Sequence, residues 1–491
     1  MVNRTRLAFR RVARKRQRGP LTSARRKRYK QTDSAAHRMR DASNSCMLRV
    51  VLCASFMTLP ALLSAQNESI KYIGPGSCAA TSCHGSVKPI ADSRILQNEY
   101  STWIIKDKHS RAYQALTGEV GERIARILKL GAKAEEAPQC LACHALNPAP
   151  EQRGRAFEIS EGVSCENCHG PASAWLGPHT TKLWPHEKSV ALGMHDTRDV
   201  IHRTGKCLEC HLGTKSKFVD HEMIAAGHPD LYFELDSFSA VMPRHWKVPR
   251  ESEPSKPVED AAWVGVREWS TGQAVQLRAA MELLTWRAKN ERADKKDVWP
   301  EYSELSCIAC HHALGSAKDS WRQEHGYVGR RPGDPAWNSS RYAVFRVLAK
   351  QIDSANAQEL DRQLLVVSNE MSKLNPDDHA VASAALAAAP LAQRIAERLV
   401  TMQYDQAVVL RILQRISDDA ENIALADERA AEQAAMALDS LYIAYSKDAK
   451  PANAAEVRDA INGLFQQLEN PSGYNADQFA SSLRRIRTLL H

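Results

Sequence analysis

Apolar residues recur at helical spacing mainly toward the C-terminus. Val344, Val347, Leu348 and Ile352 form one set, Leu391, Ile395, Leu399 and Met402 a second, and Val408, Ile412, Leu413 and Ile416 a third. Steps of three and four residues put each set on one side of a helix. Asn375-Pro376, Pro390, Lys450-Pro451 and Asn470-Pro471 read as breakers, which divides the stretch into about five or six helices. The Ala-rich run Ala380–Ala389 suits close helix contact. Residues 336–491 are therefore expected to form a C-terminal helical bundle. Its expected role is to cap the rest of the chain, with partner docking or oligomerisation as the alternative.

One further helix is predicted from about Ala261 to Lys289, with Val264, Val266, Ala274, Leu277, Ala280, Leu283 and Leu284 toward a core. The polar, Pro-containing segment 250–260 before it reads as a linker. Upstream, residues 66–250 are rich in Gly, Pro, His and Trp and poor in long periodic segments. Loops and short helices wrapped around something other than apolar side chains would look like this. The fold expectation is mainly α: a loop-rich domain with short helices, then a linker, helix and further unit over 251–335, then the bundle.

The N-terminus stands apart. Residues 1–40 hold 15 Lys/Arg and one acid, Asp33, without apolar periodicity. An apolar run, Met47 to Ala65, follows and ends in small residues. A basic flank, a short apolar core and a small-residue exit predict a secretory signal peptide over residues 1–65, cleaved near Ala65. An uncleaved anchor is the alternative, and Met39 or Met47 are alternative starts. Without residues 1–65 the chain has 50 basic and 55 acidic side chains, a formal charge of −5 against +9 for the whole. The positive charge thus belongs to the leader, and nucleic acid is not an expected partner.

Ten of the twelve cysteines fall into five motifs. Four read Cys-x-x-Cys-His: Cys140–Cys143–His144, Cys165–Cys168–His169, Cys207–Cys210–His211 and Cys307–Cys310–His311. The fifth, Cys78–Cys83–His84, has two extra residues between its cysteines. Two thiols can bond the vinyl groups of a haem while the next residue offers an imidazole to iron. Zinc ribbons also use Cys-x-x-Cys pairs, but need no His after each. Disulfides give the recurring His no role. Five covalently attached haem c groups are therefore expected. Export agrees, since this attachment is completed outside the bacterial cytoplasm; the expected location is the periplasm.

Several segments resemble the cytochrome c-554 family of multihaem cytochromes. They are Tyr72–Cys78 leading into Cys83-His84, Trp103–Ala112 around His109, and Cys140–His144. After these come Gly162–Pro171 with Gly177-Pro-His179 behind it, and Cys207–His211. The resemblance covers about residues 70–215, and the Gly-Val-x-Cys-Glu-x-Cys-His-Gly-Pro block is its most specific piece. It implies a tetrahaem domain over 66–250 with stacked haems. It also implies that His179 binds the iron at Cys78/Cys83 and His109 the iron at Cys207/Cys210. The family's smaller members have four haems, a short first motif and no large helical domain, so the unit around Cys307 and the bundle lie beyond it.

The remaining irons need other ligands. His221 and His228 lie seven residues apart, so on one helix they would share a face. They are assigned to the irons at Cys140/Cys143 and Cys165/Cys168. His245 is assigned to the fifth iron, with His312 and His325 as runners-up, while His186, His195, His202, His379 and His491 read as solvated. Closely packed bis-histidine haems conduct electrons and leave iron no open position. The expected function is a periplasmic pentahaem electron relay between redox proteins, a membrane quinol-linked complex being one candidate partner. The alternative is an oxidoreductase acting on nitrite, hydroxylamine, NO or peroxide at one five-coordinate haem. No Cys-x-x-Cys-Lys, the active-site motif of pentahaem nitrite reductase, occurs.

Overall fold

The computed structural model describes residues 70–91, 93, 95–247, 263–289, 299–311, 334–470 and 473–491. The leader and apolar run, the linker 250–260, His312 and His325 lie outside the described residues.

The chain is mainly helical, and among the described residues no strand forms, only isolated bridges such as Leu305 with Trp337. Short helices hold the motif-bearing part: α1 Glu99–Lys106, α2 Glu119–Ile127, α3 Pro138–His144, α4 Cys165–His169, α5 His186–Ala191, α6 Val200–His211, α7 His221–Ala225 and α8 Leu235–Val241. A long helix follows, α9 Val264–Ala288. The C-terminal part contains α10 Ser340–Ala343, α11 Phe345–Ile352, α12 Ser354–Met371, α13 Asp378–Thr401, α14 Gln406–Asp418, α15 Ala420–Ala426, α16 Glu428–Ala449, α17 Ala454–Gln467 and α18 Ala476–Leu489.

That is nine C-terminal helices among the described residues, not five or six. The extra breaks fall at Val344, Asp353, Asp405, Asp419 and Asp427, which the Pro signals did not mark. Three of these cap the next helix: Asp353 accepts from Asn356 N at 3.2 Å, Asp405 from Val408 N at 2.7 Å and Asp427 from Ala430 N at 2.7 Å. Conversely, Pro390 does not break the chain; it sits inside α13. Its ring lies on the exposed face, as does Leu386 one turn earlier. The carbonyl that loses its N–H partner there can turn to water, so the helix continues.

Helix α9 is the centre of the fold. It packs on α6 and α8 of the motif-bearing part and on α10, α11, α13 and α16 of the C-terminal part. Trp269, Ala274, Val275, Leu277 and Leu284 are fully buried, and the faces between them are covered too. The expected one-sided helix is in fact covered on nearly every face, with Glu282 left exposed, so its buried polar residues need internal partners. Ser270 bonds the hydroxyl of Tyr404 at 2.6 Å, and Gln273 donates to Gln433 at 3.2 Å. Gln433 in turn donates to the carbonyl of Phe233 at 3.1 Å. One apolar cluster runs from Leu208 through α9 to Leu490. The motif-bearing part has only a small separate cluster around Leu116, Ala137 and Leu141. Among the described residues no helix is long and apolar enough to cross a membrane.

Candidate haem-binding centres

Each motif is built on a tight helical turn. Cys207, Cys210 and His211 end α6, which Asp199 starts by accepting from His202 N at 2.8 Å. Residues three and four apart share a helix face, so two thiols and an imidazole project together. Pro138 opens α3 at its first turn, where a missing N–H is harmless. In α4 the amide of Asn167 reaches back to Ser164 N at 2.8 Å, a capping box around Cys165 and Cys168. The fifth motif has a shorter turn, Cys307–Ala309, with His311 N donating to Cys307 O at 2.8 Å. The wide motif reproduces that closure: His84 N donates to Cys78 O at 3.3 Å. Its extra residues fold out through Cys83 N to Ala80 O at 2.9 Å. Gly85 makes the fold-back possible, because a Cβ there would lie 1.8 Å from Ala79 O.

Four motif imidazoles face a second imidazole. Ring centres stand 6.3 Å apart for His84 and His179, 6.2 Å for His144 and His228, 6.1 Å for His211 and His109, and 6.4 Å for His311 and His221. An imidazole nitrogen binds a first-row metal at about 2 Å, and the ring centre lies roughly 1.1 Å behind it, so two rings sharing one metal stand about 6.3 Å apart. The residues present therefore fit an iron between each pair. Among the described residues no three His, Cys, Asp or Glu side chains gather to hold a metal by themselves, whereas a structural zinc site would gather four.

The rings are also oriented. Nδ1 of His84 meets Glu99 at 3.0 Å, that of His109 meets Asp107 at 3.0 Å, and that of His144 meets Ala112 O at 3.0 Å. Nδ1 of His228 meets Pro229 O at 2.7 Å, and His179 bonds Leu176 O. These acceptors hold the proton on Nδ1 and leave Nε2 as a lone-pair donor, the usual arrangement of a metal-binding histidine. Burial, with a contribution from His109, pushes His211 down to about 4. The ring is neutral at ordinary pH, as a ligand must be.

One expected pairing changes: His221 stands against His311, not against the second or third motif. The ring that His245 meets is that of Trp246. The single-face argument required one helix through both His221 and His228. Instead α7 stops at Ala225, and Gly227, at φ 110°, turns the chain before His228. The two imidazoles then face the second and the fifth motif. Burial, then the charge of His245, pushes His169 of the third motif down to about 4. His195 is not a solvated side chain either. Its backbone N–H donates to His169 O at 2.9 Å, and its ring packs at Gly170. His186 is bound to Asp196 at 3.0 Å.

Glu166 is a site residue that sequence reasoning passed over. Its buried carboxylate accepts from Ile73 N at 3.0 Å, Gly74 N at 2.8 Å and Ala172 N at 2.8 Å. It thereby fastens the lead-in of the first motif to the third. The only signal was its place inside the Cys-Glu-Asn-Cys block. Motifs also approach one another through sulfur. Cys78 and Cys165 lie close enough to act on each other electrostatically, as do Cys143 and Cys210. Cys168 and Cys207 lie close enough to act on each other electrostatically.

Residues 78–170 match the family model described as cytochrome c554 and c-prime. The match spans the first three motifs. No curated protein and no solved structure matches the chain. The matched segment resembles the c554 family of multihaem c-type cytochromes, which supports covalently attached haem c at its motifs.

Proposed function

We propose that this cytochrome carries five haems and relays electrons along them in the order first, third, fourth, second and fifth motif. The observation that carries the reading is the contact order of the attachment points. Glu166 of the third motif holds Ile73 N and Gly74 N ahead of the first, α4 of the third packs on α6 of the fourth, and α3 of the second packs on α6 as well. The segment His221–His228 then links the second motif to the fifth, one imidazole at each. Haem c, when bound, supplies one exchangeable electron per iron, at a potential set by axial ligand, hydrogen bonding and burial. The protein's part is to fix the irons close together and to close each iron with a second imidazole. His109, His179, His221 and His228 do so in facing pairs, and His245 is the candidate for the iron of His169. The signal-like leader supports a periplasmic site of action, and redox proteins are the partners this chemistry fits.

The second reading, an oxidoreductase with one open iron, would have its opening at His169, which is not in a facing pair among the described residues. The deciding experiment is the optical spectrum of the dithionite-reduced protein before and after carbon monoxide. An unchanged spectrum is the expected result. A shift in part of the Soret band would overturn the relay reading in favour of catalysis. Intact mass then counts the haems.

A further inference from the structure

Three arginines converge where the motif-bearing and C-terminal parts meet. Arg287 of α9, Arg341 of α10 and Arg429 of α16 line one cavity of about 40 Å³ with Asp230 and Glu304. The two acids are already engaged. Glu304 is bonded to Arg287, which also donates to Val219 O at 3.0 Å, and Asp230 pairs with Arg429 at 2.5 Å. Asp427 and Glu432 act on Arg429 as well. Arg341 donates from a terminal nitrogen to Leu231 O at 3.3 Å, while its Nε is sealed from solvent with no hydrogen-bond partner among the described residues. Burial pushes this guanidinium down to about 10, with Arg429 and Arg287 also lowering it and Glu304 and Asp230 opposing. An enclosed cation without its own counter-charge is strongly destabilising unless an anion joins it.

The position of the cavity identifies the anion. Ile224, in its wall, belongs to α7, whose His221 faces His311. Ser303 and Glu304, also in the wall, lead directly to Cys307. After burial, Arg429 is the strongest influence on the Cys307 thiol. A haem tethered at that thiol brings two propionate carboxylates that must be placed. A guanidinium matches a carboxylate with paired, charge-assisted hydrogen bonds. We propose that Arg341, flanked by Arg287 and Arg429, is the propionate seat of the haem attached at Cys307 and Cys310. This rests on the reading of that motif as a haem site.

The test is a spectroelectrochemical titration of the purified holoprotein, with intact mass as the haem count. In Arg341→Gln one haem should fall in potential by about tenfold in its reduction equilibrium, ~59 mV for one electron, because a positive charge that favours the reduced form is gone. Arg341→Lys should move the same wave less and covers the case in which the Gln variant does not fold. Arg346→Gln, whose partner is Asp419, should move none. Unmoved waves in an Arg341→Gln protein with five haems would overturn the assignment while leaving the haem reading intact. A wild-type wave that shifts with added inorganic phosphate would assign the seat to a free anion instead. Wild-type protein with four haems and bare Cys307 and Cys310 would remove the haem reading, and this inference with it.

Discussion

Glu99 accepts a hydrogen bond from Nδ1 of His84 at 3.0 Å, so the first motif's imidazole is backed by a carboxylate. His109 has the same backing from Asp107, whereas His144 has only the carbonyl of Ala112. A carboxylate draws the imidazole proton toward itself and makes the ring a stronger donor. Stronger donation favours the ferric state. Glu99→Gln should therefore raise the potential of one haem, by on the order of tenfold in its equilibrium or ~59 mV. Potentiometry that shows every midpoint lowered or unmoved would disprove the assigned role of Glu99.

His221→Ala should leave every haem attached and make one reduced haem bind carbon monoxide. His228→Ala should do the same for a different haem. Combining His221→Ala with Cys307→Ser and Cys310→Ser should abolish the new carbon monoxide signal, because the opened iron is then absent. If the signal survives in the triple variant, His221 serves another motif and the observed 6.4 Å pairing with His311 is not a ligand pair.

Glu234 gives a pH dependence of known sign. Burial, then the charge of Asp236, pushes its carboxyl up from 4.5 to about 7, against the N–H bonds from Ser237 and Asp236. Close by, burial also raises Glu268, which pairs with Arg203 at 2.6 Å. Between about pH 4.5 and 7 the folded chain keeps a proton on Glu234 that the unfolded chain has lost, so stability falls as pH rises through that window. Glu234→Gln mimics the protonated form. Urea melts should show the variant gaining on wild type as pH rises from about 5 to 7 and holding level above. A difference that stays constant with pH would sink the idea.

Two glycines in helices should respond in opposite directions. A Cβ on Gly272 of α9 would stand 2.8 Å from Cβ of Leu235 in α8. Gly272→Ala should destabilise the protein by about 1–3 kcal/mol through overpacking. Gly463 of α17 has nothing within 4 Å of such a Cβ. Gly463→Ala should stabilise it by about 0.5–1 kcal/mol, because alanine loses less freedom in a helix. Chemical denaturation of both variants checks the pair.

The chemistry was legible because haem attachment is a contiguous pattern: Cys140 to His144 says what it does without reference to the rest of the chain. The C-terminal helices were legible through their periodic faces, though caps such as Asp405 and Asp427 were missed while Pro390 was overvalued. The imidazole partners were the hard part. His221 and His228 are near in sequence and His311 is far away, and only the turn at Gly227 decides that they part. Burial of α9 was equally hidden, since Ser270 and Gln273 are polar residues whose burial depends on finding Tyr404 and Gln433 across long sequence separations.

The enclosure of α9 also imposes an order on biosynthesis. A chain made from its N-terminus presents Cys78 to His211 well before α13 and α16 exist to wrap α9. The first four motifs are thus made while the long helix is still bare. Arg341 and Arg429, which line the cavity beside Ser303 and Glu304, arrive later still. Closure of the core around α9 is therefore tied to completion of the C-terminal helices, and a chain that stops short of α16 leaves that core unsealed.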